Sequence, residues 1–252
     1  MDSLGTVLRI ALDDEHNLKM TKVEGAVALV TGGQRGLGRA FVDELLLRGA
    51  SKIYATARSP IASEDPRVET LRLEVTDPDS IAAVADRATD VSIVVNNAGV
   101  LHPAPLLLTE MADVIDTFEV NVFGPLRIAR TFAPILAANG GGALVDIHSV
   151  LSWSAGAAAY GASKAALWSM TNSLRLELAG QGTQVVGVHL GFADTEMVEA
   201  FPGDKLVPEQ VARAVFEGVE RGESEVLVDD FSRDVKAALS GPVEGLALTI
   251  DR

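Results

Sequence analysis

The sequence predicts a doubly wound α/β domain: about seven parallel strands in one sheet, with helices on both faces. Two observations lead there. Short β-branched apolar runs alternate with longer helix-patterned segments from residue 26 onward, and strands joined by helical crossovers pair in parallel. The chain has 252 residues, 48% hydrophobic and 22% charged, which suits one large core better than two small ones.

The first strand is expected at 26–31, where alanine and β-branched residues run without a charge. A helix follows at about 37–48, stopped by Gly49. The second strand is 52–57 and the third lies near 68–75. Asp77-Pro78 pairs a capping side chain with a first-turn proline and opens a helix to about residue 88. A fourth strand at 91–95 precedes a long helical region at 109–138, which Gly140-Gly141-Gly142 ends. The fifth strand is 143–148, followed by a helix at 160–179. The remaining expectations are a sixth strand at 184–190, a helix at 208–220, a last strand at 225–228 and a helix at 231–240. In such a sheet ligands bind outside the carboxyl ends of the strands, so the residues after each strand are where chemistry is expected.

Composition excludes several classes of function. The formal charge is −14, from 35 acidic against 21 basic residues. Such a surface repels phosphate backbones and anionic headgroups, so neither nucleic acid nor membrane is an expected partner. There is no cysteine, which removes disulfides, thiol nucleophiles and thiolate metal sites. The histidines, at 16, 102, 148 and 189, show no close-paired ligand spacing, and no metal is expected. No apolar run approaches the roughly 20 residues of a membrane-spanning helix, and Met1-Asp2-Ser3 is not the start of a signal peptide; the expected location is cytoplasmic.

The end of the first strand carries Thr31-Gly32-Gly33-Gln34-Arg35-Gly36-Leu37-Gly38. Glycines at 32, 36 and 38 permit a tight turn, close approach of a pyrophosphate to backbone, and close packing of helix on strand. The helix terminus then offers free N–H groups and its positive dipole end. Between a first strand and a first helix, this is a dinucleotide site rather than a plain βα turn.

This TGxxxGxG spacing resembles the short-chain dehydrogenase/reductase family, a Rossmann-type group, rather than proteins with GxGxxG. Further segments agree in the family's order: Asn96-Asn97-Ala98-Gly99 is similar to its NNAG motif, Asn121 to its helical asparagine, and Tyr160-Gly161-Ala162-Ser163-Lys164 to its YxxxK. The resemblance spans about residues 25–200 and implies an oxidoreductase domain at 25–252, an N-terminal extension at 1–24 and a substrate loop at about 191–207. It implies cofactor contacts at Gly32, Gln34, Arg35, Gly36, Leu37, Gly38, Ala57, Arg58, Glu74, Val75, Asn97, Ala98, Gly99, Tyr160, Lys164, Gly191 and Thr195.

Tyr160 and Lys164 stand four apart and share a helix face. A phenol, with its reference pKa near 10, is a poor base at neutral pH. A nearby ammonium and an oxidised nicotinamide both favour the phenolate. Tyr160 can then exchange a proton with a substrate oxygen while a hydride moves at the adjacent carbon. Ser149, at the end of the fifth strand, is placed to donate to the same oxygen. Ser152 and Ser154 compete for that role but lie past the expected strand end. The resemblance gives Asn121 a fourth role, holding a water that links Lys164 to solvent.

Cofactor choice turns on the end of the second strand, where an acid favours NAD by binding the ribose hydroxyls. Ala57 stands there instead, followed by Arg58, and Arg35 is a second cation; the expectation is NADP(H), with NAD(H) as the alternative. Two positions depart from the family: Glu74 replaces an aspartate, and Leu190 replaces the proline of its PG motif. Leu101, His102, Trp153, Phe192, Met197 and Phe201 are expected around the substrate, pointing to an uncharged or apolar ketone, aldehyde or secondary alcohol. Segment 194–207 is read as a mobile lid. Residues 1–19 hold an acidic patch, Asp13-Asp14-Glu15, and either pack through Val7, Leu8, Ile10 and Leu12 or precede a start at Met20. A homodimer through the long helices, or a homotetramer, completes the expectation. Competing readings are a non-catalytic dinucleotide sensor or scaffold, and an isomerase or dehydratase on the same fold.

Overall fold

The computed structural model describes residues 20–247, so the packing suggested for Val7, Leu8, Ile10 and Leu12 lies outside the described residues. Seven parallel strands form one sheet: β1 Val27–Val30, β2 Lys52–Ala57, β3 Val68–Arg72, β4 Ile93–Asn96, β5 Gly142–Ile147, β6 Thr183–His189 and β7 Glu225–Leu227. Their order is β3-β2-β1-β4-β5-β6-β7. The direction of winding reverses between β1 and β4, which opens a crevice at their carboxyl ends. The helices are α1 Gly36–Leu47, α2 Pro78–Arg87, α3 Met111–Phe118, α4 Gly124–Ala138, α5 Ala158–Ala179, α6 Pro208–Glu220 and α7 Asp230–Ala238.

Strand side chains alternate between two apolar layers, as the period-two geometry of a strand requires. Val30, Ile53, Val95, Val145 and Val188 pack with Phe41 and Leu45 of α1 and Phe216 of α6 on one face. Leu29, Tyr54, Val94, Leu144 and Val185 pack with Ile81 of α2 and Ile128, Phe132 and Leu136 of α4 on the other. Phe41 and Phe216 meet edge to face at 6.1 Å, fixing α1 against α6.

Several expected boundaries are corrected. β3 ends at Arg72 rather than near 75, because the Glu74 N–H turns to the Ser80 hydroxyl and Asp77 caps α2 by accepting from the Asp79 N–H. β4 starts at Ile93 rather than 91, since the Val91 carbonyl is taken by the Asn139 side chain. The region expected as one helix at 109–138 contains a π-helical stretch, Glu119–Phe123, between α3 and α4. The last helix is capped by Asp229, which accepts from the Ser232 N–H, and therefore spans Asp230–Ala238.

Candidate active site

The glycine-rich turn after β1 lies against the end of β4. The Thr31 hydroxyl oxygen accepts the N–H groups of Asn97 and Ala98, each at 3.0 Å, and the Asn97 side chain donates back to the Thr31 carbonyl at 2.9 Å. Asn97 is thus a bolt between the two strand ends. A Cβ on Gly38 would sit 2.0 Å from the Gly32 carbonyl oxygen, so only glycine permits this packing. Gly36 has φ +50°, a left-handed conformation that disfavours any side chain. The first turn of α1, next to buried Gly38 and half-buried Leu37, has neither a side-chain cap nor an acidic residue, which leaves its N–H groups available to an anion. A glycine cradle under an uncapped helix terminus fits a dinucleotide pyrophosphate.

Other expected cofactor residues surround this cradle. Gln34 clamps the loop after β2 by accepting from the Ile61 N–H at 2.9 Å. Ala57 closes β2, and Arg58 follows it on the surface. Arg35 forms a 2.9 Å ion pair with Glu196, beside Thr195, whose methyl group approaches Gly36. The Glu74 carboxylate is engaged with Thr76, and Val75 is buried against Gly124. The Gly191 N–H donates to Asp229 at 2.8 Å.

The candidate reacting groups converge beyond the ends of β4 and β5. Asn121 comes from the π-helical stretch, where it is fully buried. Its side chain accepts from the Val100 N–H at 2.8 Å and donates to the Val100 carbonyl at 2.9 Å and the Ser163 hydroxyl at 3.1 Å. Asn121 therefore fastens the segment after β4 to α5, one residue from Lys164. Gly99 lies beside both: a Cβ there would be 3.2 Å from Asn121 Oδ1 and 3.9 Å from Lys164 Nζ.

Ser149 follows β5 as the cap of a 3-10 turn, Val150–Ser152, and its hydroxyl oxygen accepts from the Leu151 N–H at 3.1 Å. Its hydroxyl is near enough to the Tyr160 phenol to act on its titration. Of its two competitors, Ser152 is buried without a partner and Ser154 donates to the Val150 carbonyl. Tyr160 enters from the first turn of α5, two residues after Ala158, which has φ +48°. A non-glycine residue in that region stores local strain beside the site. Lys164 Nζ is buried, 5.7 Å from the Tyr160 ring centre, and donates to the Ile147 carbonyl at 2.8 Å.

Burial pushes the Tyr160 phenol up to about 12, with the Ser149 hydroxyl opposing. Burial pulls the Lys164 ammonium down to about 8, a shift that an ionised Asp146 would oppose. The free site thus holds a protonated phenol beside a lysine that titrates near neutrality.

The expected pocket residues divide. An apolar cleft is lined by Pro105, Leu106, Ser154, Ala155, Gly156, Ala158, Gly161 and Ala162, and none of Ser149, Tyr160 and Lys164 lines it. Phe192 and Phe201 stack on each other at 5.5 Å, Met197 is exposed, Leu101 is half-buried, and His102 pairs with Asp116. Trp153 is corrected: it is buried and stacks on His189 at 3.8 Å, so it belongs to the interior. His148 and His189, 41 positions apart in the sequence, meet at 3.0 Å. β5 and β6 are parallel neighbours with Ile147 opposite Val188, so the next residues, His148 and His189, fall side by side. Among the described residues no group of three or more metal-ligating side chains occurs, and no helix is long and apolar enough to cross a membrane.

The short chain dehydrogenase family model matches residues 26–205. The chain is a member of the short-chain dehydrogenase/reductase family. This short-chain dehydrogenase/reductase is 34% identical over 194 residues to the 3-oxoacyl-[acyl-carrier-protein] reductase FabG of Escherichia coli, covering 72% of this chain and 79% of that protein. It is 31% identical over 217 residues to the cis-4-hydroxycyclohexanecarboxylate dehydrogenase of Sinomonas cyclohexanicum, covering 75% and 87%. Among solved structures, a short chain dehydrogenase from Burkholderia cenocepacia in complex with NADP superposes with TM-score 0.84 at 36% identity, over 89% of this chain and 97% of that one. The protein is an oxidoreductase of the short-chain dehydrogenase type.

Proposed function

We propose that this enzyme interconverts an apolar ketone or aldehyde and the corresponding alcohol, using NADP(H) in preference to NAD(H), with Tyr160 as general acid and base. The observation that carries the reading is the meeting of Ser149, Tyr160 and Lys164 beside the glycine cradle of α1. The bound nicotinamide supplies or accepts the hydride at the substrate carbon. The amides of 36–38 would hold the pyrophosphate, and Ala98 and Gly99 would border the nicotinamide half. For the 2′-phosphate, Arg58 and Arg35 are the available cations, and no acid stands at position 57 to repel it. The NADP in the Burkholderia cenocepacia relative supports the same preference.

In the reducing direction the protonated Tyr160 donates to the developing alkoxide, and the Ser149 hydroxyl, with its oxygen already fixed by the Leu151 N–H, stabilises the same oxygen. In the oxidising direction the Lys164 ammonium, 5.7 Å from the ring centre, would favour the phenolate, as a nearby cation does. Thr195, Gly191 and the rest of 191–207 would close over the substrate. The mostly apolar side chains of Leu101, Phe192, Met197 and Phe201 favour an apolar substrate, and the 3-oxoacyl and 4-hydroxycyclohexanecarboxylate substrates named for the relatives are a carbonyl compound and an alcohol, the second also a carboxylate.

The test is NADPH oxidation across a panel of apolar ketones and aldehydes, with Tyr160→Phe as control. The variant is expected to bind NADPH normally and to lose roughly 10²-fold or more in kcat. Turnover unchanged in Tyr160→Phe would overturn the assignment.

A further inference from the structure

Beneath the reacting groups lies a row of buried polar side chains that proton and hydride transfer leave unused. Asp146 on β5, Thr171 on α5, His189 on β6 and His148 are all closed to solvent. Asp146 Oδ2 is 2.7 Å from Thr171 Oγ1, which is 2.9 Å from His148 Nε2. His148 Nδ1 is 3.0 Å from His189 Nε2, and His189 Nδ1 is 3.1 Å from the Ser149 carbonyl oxygen. Each of these four contacts needs one proton between its partners.

The directions follow from counting. The last acceptor is a carbonyl, so His189 carries a proton on Nδ1. If His189 is neutral, its Nε2 is bare and His148 donates from Nδ1. Neutral His148 is then bare at Nε2 and takes the single hydroxyl proton of Thr171. Thr171 has none left for Asp146, so the carboxyl is protonated and donates. The Leu167 carbonyl, also 2.9 Å from Thr171, already has a helical N–H as donor. This is the one arrangement that fills all four contacts without a buried charge; every other puts an imidazolium in the chain.

We propose that Asp146, Thr171, His148 and His189 form a hydrogen-bond chain of fixed direction, started by the Asp146 carboxyl proton and ending on the Ser149 carbonyl, that positions Ser149 and keeps the layer beneath Lys164 uncharged. The proposal rests on Ser149, Tyr160 and Lys164 being the reacting groups. The surroundings favour it. Lys164 and Arg175 face the chain from α5, Lys236 faces it from α7, and all three oppose an imidazolium; Asn96, Thr171, Lys164 and Arg175 also favour the Asp146 carboxylate, but burial outweighs them. Glu225 of β7 is 3.6 Å from His189 Nε2, beyond hydrogen-bond range, and is ion-paired with Lys236. Burial raises the Asp146 carboxyl, holds His148 well below its ordinary value and lowers His189 to about 3. The other Asp146 oxygen accepts from Asn96 at 2.8 Å, as a neutral carboxyl can. Trp153, stacked at 17° to His189, fixes the ring plane. With Lys164 Nζ on the Ile147 carbonyl and His189 Nδ1 on that of Ser149, the backbone on both sides of His148 is pinned.

Nitrogen-15 correlation spectra of the imidazoles, recorded on the full chain between pH 5 and 8, test the direction without substrate or cofactor. Both rings are expected to carry the proton on Nδ1, with a bare Nε2 and no titration. A proton on His148 Nε2, or an imidazolium at His189, would overturn the proposal whether or not carbonyl turnover is found. Asp146→Asn, whose amide N–H replaces the carboxyl proton, is expected to keep both tautomers; a changed pattern there also overturns it. With a reducible substrate, Thr171→Val should lower kcat about tenfold with KM little changed, and Thr171→Ser should restore it. A folded Thr171→Val with unchanged kcat, or a loss confined to KM, overturns the positioning role.

Discussion

At the level of single residues, the cofactor preference proposed above rests on Arg58. Arg35 is already engaged with Glu196, but both side chains are about three-quarters exposed, at 73% and 77%, and such a pair contributes about 1 kcal/mol at most. A phosphate can displace it. Arg58 stands on the surface directly after β2, where a 2′-phosphate would lie. Arg58→Asp replaces attraction with repulsion and should move the ratio of kcat/KM for NADPH over NADH by roughly tenfold or more towards NADH. Equal kinetics with either cofactor in both proteins would refute the assignment.

At the scale of elements, the β5–β6 pair makes stability depend on pH. His148 and His189 are held neutral in the folded protein by burial, His189 down to about 3, whereas in the unfolded chain both bind protons below about 6.5. The unfolded state therefore takes up more protons as pH falls, and stability is lost from about pH 6.5 downward. Asp146 acts in the opposite sense, because its raised carboxyl binds a proton first in the folded state. Two histidines against one carboxyl leave a net loss on acidification, to be measured as a falling denaturant midpoint between pH 6.5 and 4.5. A midpoint that stays flat or rises there contradicts the neutral histidine pair. Elements are legible in the sequence where local pattern decides them: 52–57 and 208–220 match β2 and α6 to the residue. Local pattern misplaces the ends of β3 and β4, where side chains of Ser80 and Asn139 take backbone partners from elsewhere in the chain. The π-helical stretch that turns Asn121 inward leaves no local mark, and the His148–His189 contact spans 41 positions and exists only once β5 and β6 pair. The placement of the Gly32–Gly38 pattern, Ser149, Tyr160 and Lys164 is legible because each is tied to a strand end or one helix turn. The inward turn of Trp153 is not, since it depends on the far side of the sheet.

For the whole molecule, the −14 charge and the anionic cofactor proposed for it are reconciled by geometry. The net charge does not govern the site, where glycine amides, a helix terminus, Arg35 and Arg58 would supply local positive potential. The same outer surface has an apolar interruption: Met111 and Ile115 on α3, Phe123, and Leu176 on α5 are exposed. A homodimer through these helices would cover them. Leu176→Glu is expected to shift the protein from dimer to monomer in sizing at micromolar concentration, and a wild-type protein that elutes as monomer rejects the dimer. The packing of Trp153 has a last consequence for experiment. The chain has two tryptophans, and Trp168 lies edge-on to Trp153 at 5.7 Å, both against His189. Intrinsic fluorescence from this protein therefore comes from one spot under Ser149, so emission follows the floor of the candidate site without any attached dye.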